Sequence, residues 1–166
     1  MRLKTKSIEG CKDPHARSWG SKVTHTSSFD ITTTGDYFRE LVIPQYEDFV
    51  ANNSSSRHAL LTTILAYHMY EWVHRKKFTV RHFKSKYPQA ASLSDVFELA
   101  RKITNGTKHF KPKAKTRTQK GFPSDFSDDF RRPLMVEFPD GSEKSADRFL
   151  REMVDFWRVQ QKSGAF

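Results

Sequence analysis

His68 and Glu71 stand three residues apart in Tyr67-His-Met-Tyr-Glu-Trp72, a spacing that brings an imidazole and a carboxylate to one side of a helix. Such a pair can ligate a metal on the inner face of a bundle, but a carboxylate-bridged site needs further inward acids. The sequence offers no second pair of that kind, so no metal and no cofactor are expected. The plainer expectation for His68 is a core histidine hydrogen-bonded to Glu71, to a tyrosine or to backbone, since a buried polar group needs a partner.

A second constellation is Arg101, Asn105, Lys108 and His109. Spacings of four and three put Arg101, Asn105 and Lys108 within about 60° of one another on a helix, with His109 toward the edge. Guanidinium, amide, ammonium and imidazole together can grip a phosphate and move a proton, which is what cleaving RNA through its own 2′-hydroxyl requires. The competing explanation is a solvated helix face opposite the apolar stripe. A third group is Lys111, Lys113, Lys115, Arg117 and Lys120, in a run without acids or large apolar residues. It reads as part of an exposed basic loop at 110–122 that contacts phosphates, or simply as a solubilising loop.

The elements that must position these groups read as helices. From Gly35, the residues Phe38, Leu41, Val42, Tyr46, Phe49 and Val50 keep helical spacing, with Pro44 expected to kink or split the helix. Ser54 to Ser56 offer N-caps for a helix from about Arg57 to Arg75, whose apolar stripe would be Leu61, Ile64, Leu65, His68 and Trp72. A short basic helix within Phe78 to Tyr87 would use Phe83 as its core contact and stop before Pro88. Ser92 or Ser94 would cap a helix from Asp95 to about Lys108, buried through Val96, Leu99 and Ile103. Leu134 to Phe138 followed by Pro139-Asp-Gly141 predicts a β-hairpin. Ser145 then caps a helix that buries Phe149, Leu150, Met153, Phe156 and Trp157 and ends at Gly164. The fold class is therefore mainly α: a bundle of four to five helices with a small β-hairpin before the C-terminal helix. Residues 1–27 read as an N-terminal arm or tail, and 28–166 as a single helical-bundle domain.

Composition narrows the function classes. The chain has 166 residues, is 36% hydrophobic and 13% aromatic, and carries a net charge of +10. It is too apolar for a wholly disordered chain, and the charge favours polyanionic partners. One cysteine, Cys11, excludes an internal disulfide framework and a multi-cysteine zinc site. No run approaches the roughly 18 apolar residues that span a bilayer, so a cytoplasmic protein without membrane contact is expected. Residues 75–120 alone carry +12, with +4 in 1–27, −4 in 28–74 and −2 in 121–166. Gly-rich phosphate loops, dinucleotide fingerprints, metalloprotease helices and nucleophile elbows are all missing.

Three segments together, Tyr67 to Trp72, Ile103 to Phe110 and the Val-Glu-Phe-Pro-Asp-Gly hairpin before Asp155-Phe-Trp157, resemble a group of small bacterial helical proteins of mobile or integron-cassette type. The resemblance covers most of 28–161 and implies a fold rather than an activity. A more distant likeness is to HEPN bundles, many of which are dimeric ribonucleases, with a signature of an Arg followed after about four to six residues by a His. Arg101 and His109 have seven residues between them and depart from it, whereas Arg75 and His82, with six, match it. The likeness implies a homodimer that binds or cleaves RNA through a basic face. The alternative is a non-enzymatic interaction or dimerisation module, and a small-molecule pocket between helices is a third possibility.

Overall fold

The computed structural model describes residues 29–109, 114–118 and 134–166. Helix α1 (Thr34–Asp36) opens on a capping box, with the Thr33 hydroxyl accepting from the Asp36 amide and the Asp36 carboxylate accepting from the Thr33 amide. The backbone stays helical through a π-helical stretch (Tyr37–Val42) into α2 (Ile43–Ala51). Pro44 therefore does not split the rod. Its ring would clash with the carbonyl four residues back in α geometry, and the wide turn just before it gives that room.

Helix α3 (Ser56–His74) is the central element and packs on α2, α5 (Ser94–Lys108) and α6 (Ala146–Lys162). The Ser55 hydroxyl caps α3 by accepting from the His58 amide. Its buried face is Thr62, Thr63, Ala66, Tyr67, Met69 and Tyr70, which corrects the expected stripe. Leu61 is 41% exposed, and Ile64, Leu65, His68 and Trp72 are half-buried. Threonines can face the core here because their hydroxyls donate to carbonyls one turn back, Thr62 to His58 at 2.8 Å and Thr63 to Ala59 at 2.7 Å.

Helix α4 (Val80–Lys86), capped by the Thr79 hydroxyl, folds back after α3 and is pinned by the fully buried Phe83. A 3-10 stretch (Pro88–Leu93) leads into α5, so Ser94 is the first residue of that helix and is buried rather than capping it. Phe83, Phe97, Phe156 and Trp157 interlock edge and face, with neighbouring centroids 4.8–5.6 Å apart. The Trp157 indole N–H donates to the Ala66 carbonyl at 2.8 Å, tying α6 to the middle of α3.

Three strands, β1 (Lys115–Thr118), β2 (Leu134–Glu137) and β3 (Glu143–Ser145), form an antiparallel sheet in the order β1-β2-β3. The β2–β3 hairpin turns at Gly141, whose φ of +82° favours glycine. The sheet exceeds the expected hairpin by one strand, because Lys115–Thr118 pairs with Leu134–Glu137 rather than remaining loop. Among the described residues no helix is long and apolar enough to cross a membrane.

Candidate functional site

Helices α3 and α5 run antiparallel: Ser56 to Thr63 face Ile103 to Thr107 across a cavity, and Tyr67 lies near Arg101 and Glu98. His68 Nδ1 approaches Glu71 Oε2 at 3.4 Å, with both side chains 38% exposed. His68 is thus an edge residue of the seam and not a core histidine. The Arg101 guanidinium is forked on Glu98 through bonds of 2.8 and 2.6 Å, which holds the Glu98 carboxyl below its usual range. The Tyr67 hydroxyl is pushed up by burial and then by Glu71, with Arg101 acting against them, and the His68 ring stands edge-on to Tyr67 at 5.2 Å. Asn105, Lys108 and His109 lie farther along α5, with His109 about 12 Å beyond Arg101 along the axis. Lys108 and His109 are exposed at the helix end. Among the described residues no side-chain bond joins them to His68 or Glu71.

Of the basic stretch, Lys111, Lys113 and Lys120 lie outside the described residues. Lys115 and Arg117 project from β1 and are paired across the sheet: Lys115 Nζ to Glu137 at 2.8 Å, and Arg117 forked on Glu143 at 3.0 and 2.6 Å. A phosphate arriving there would compete with carboxylates already in place.

A group that the sequence does not bring together stands at the corner between α3 and α4. Helix α3 ends at Arg75 in a left-handed conformation, φ 53° and ψ 28°, and buried Phe78 starts the return. This reversal brings two imidazoles, His74 and His82, to 5.2 Å between ring centroids, edge to face. Each has a tyrosine: the Tyr87 hydroxyl and His74 Nε2 share a bond of 2.9 Å, and the Tyr70 hydroxyl bonds His82 Nδ1. Burial drives His74 down to about 4, helped by His82, Lys86 and Lys76. Burial likewise pushes Tyr70 and Tyr87 up to about 12. At neutral pH the network therefore holds a neutral His74 and neutral hydroxyls, and a rim of cations stands around it.

That rim is Arg75, Lys76, Lys77, Arg81, Lys84 and Lys86, all exposed. No acid occurs anywhere in 75–94, and none of the six forms an ion pair among the described residues. The signal for this cluster is present in the sequence as an acid-free run. The proximity of His74 and His82, eight positions apart, is not, because it depends on the turn at 75–79.

A cavity of about 630 Å³ opens elsewhere, between the first half of α3, the end of α5, the sheet and α6. Its walls are largely apolar, with Leu60, Ile103, Met135 and Phe149 among them, and among the described residues Arg117 is the one candidate site residue that lines it. Its rim includes Ala114, Thr118 and Leu134, which adjoin undescribed residues. Among the described residues no group of three or more His, Cys, Asp or Glu side chains is placed to hold a metal ion. No protein-family model, no curated protein and no solved structure matches this chain.

Proposed function

We propose that the protein binds polyanions, RNA foremost, at the corner between α3 and α4. The observation that carries this reading is the set of six exposed cations, Arg75 to Lys86, with no carboxylate among them. Unpaired lysines and arginines release counterions when they meet phosphates, and that release supplies most of non-specific nucleic-acid affinity. Arg75 and His82, the pair with the HEPN spacing, both belong to this corner, which supports the same reading. Lys108, His109 and the β1 cations become secondary on this view, and the reading implies a cytoplasmic protein, where RNA is met.

The test is salt-dependent binding of single-stranded RNA to the full chain. Replacing Lys76, Lys77 and Lys84 together by Ala should weaken binding at least tenfold. The slope of log affinity against log salt should flatten by about 2, near 0.7 for each phosphate left without its lysine. Replacing Lys115 and Arg117 by Ala should change affinity by less than about twofold, since their charges are already matched. Salt-independent binding, or a triple variant that binds like the wild type, overturns the proposal.

A second reading, a module that docks on another protein, is favoured by the apolar side chains left open on α3, Leu61 with half-buried Ile64 and Leu65. A chain that binds no RNA, and whose self-association or partner binding is lost in Leu61→Asp, would favour it instead.

A further inference from the structure

Beside the cation rim stands a stack of planar groups. Tyr37 packs on Trp72 with centroids 4.8 Å apart and 26° between planes, and Arg75 Cζ lies 5.4 Å from the Trp72 ring centre. Tyr37 is buried, Trp72 half-buried and Arg75 exposed, so the stack runs from core to surface. Three hydrogen bonds hold it in place. The Tyr37 hydroxyl donates to the Leu65 carbonyl at 3.4 Å, the Thr34 hydroxyl donates to the Trp72 carbonyl at 3.1 Å, and the Arg75 amide donates to the Glu71 carbonyl at 2.8 Å. Arg75 also holds a left-handed backbone at the end of α3, φ 53°, where glycine is the ordinary residue. A side chain placed at a conformation that disfavours it, with its guanidinium on an indole face, marks a position where the planar cation matters more than backbone ease.

We infer that the Tyr37–Trp72–Arg75 stack is a nucleobase subsite, and that the strand bound at this corner is single-stranded. The inference rests on the polyanion reading above and narrows it. Guanidinium and aromatic planes are the surfaces on which unpaired bases stack, and a duplex, with its bases already stacked on each other, cannot offer one. Lys76 and Lys77 follow Arg75 directly, so a base layered on the stack has phosphate-binding cations one and two residues away. Base and backbone are thereby held by one short segment, and sequence preference is not expected, because every base has a flat face.

The test compares two probes on the full chain: a uridine oligonucleotide of about 12 nucleotides and a heparin fragment, which has anionic charge but no bases. Arg75→Lys keeps the charge and removes the plane. It should weaken oligonucleotide binding about fivefold or more while leaving heparin within about twofold. Lys77→Ala, which removes a charge and no plane, should weaken both probes alike. Arg75→Gly suits the left-handed turn, so its melting temperature should not fall, yet it should lose oligonucleotide affinity more than Lys77→Ala does. Duplex RNA of the same length should bind Arg75→Lys as it binds the wild type. The base subsite is overturned if Arg75→Lys binds the oligonucleotide normally, or loses heparin and duplex to the same degree. In either case heparin binding by the wild type leaves the polyanion reading standing. Failure of the wild type to bind any of the three probes overturns both.

Discussion

Lys115 and Arg117 on β1, and the six cations from Arg75 to Lys86, come from one basic block, residues 75–120, yet the fold treats them differently. On the sheet, strand pairing carries Glu137 and Glu143 from 22 and 26 residues away to within 3.0 Å of those cations. At the corner, the turn from α3 to α4 brings up histidines and tyrosines, and among the described residues none of the six cations forms an ion pair. The same net charge per residue in the sequence thus becomes neutral pairs in one place and open charge in the other. Partitioning the sequence charge locates a block; only the long-range partners decide which part of it an anionic ligand meets.

The two regions also differ in what holds them, and the largest expected effect tests that. Phe83 has no exposure and packs on Phe97 at 4.9 Å and Phe156 at 5.4 Å, so it fastens the whole cation corner to the core. Phe83→Ala should cost about 3–5 kcal/mol in urea unfolding. A loss below about 1 kcal/mol would mean that the corner is held by something other than this ring, and the contrast with the sheet would fail.

An intermediate effect follows from His74. Its folded value is pushed down to about 4 from an ordinary 6.5, mainly by burial. Between those two values the unfolded chain takes up a proton that the folded chain resists, so stability is full above about 6.5 and falls as pH drops toward 4. The melting temperature should therefore decline across that window in the wild type and decline less in His74→Gln. Equal declines would remove His74 from the account. The smallest effect belongs to the sheet: Lys115→Ala or Arg117→Ala should leave the melting temperature close to that of the wild type, because both side chains are exposed. A clear drop would mean that these pairs hold β1 in place rather than merely quenching its charge.

Much of this contrast is legible in local signals, and the part that is not shares one cause. The Ser55 and Ser145 caps, the Pro139-Asp-Gly141 turn and the amphipathic face of α6 are all local, and each lies where its spacing predicts. The face of α3 escapes its own periodicity because the helix is packed on several sides at once, so Thr62 and Thr63 go inward and Leu61 stays out. Strand β1 has alternating Lys-Thr-Arg-Thr and no apolar residue; its strand character is supplied by β2 and cannot be read from its own four residues. The site follows the same rule. His68 with Glu71, and Trp72 with Arg75, are pairs three residues apart on one helix, whereas the pairing of His74 with His82 depends on where a turn sends the chain.

The wide turn at Tyr37–Val42 makes the first rod sensitive to chain length more than to residue type. Arg39 and Glu40 are exposed there, and exchanging either for another helix former disturbs little. Dropping one of them is different. It would return the stretch to α spacing and press the Pro44 ring on the carbonyl of the preceding turn. Here one extra residue in a turn makes room for a proline, and the continuity of the rod is counted out along the backbone as much as it is chosen by side chain.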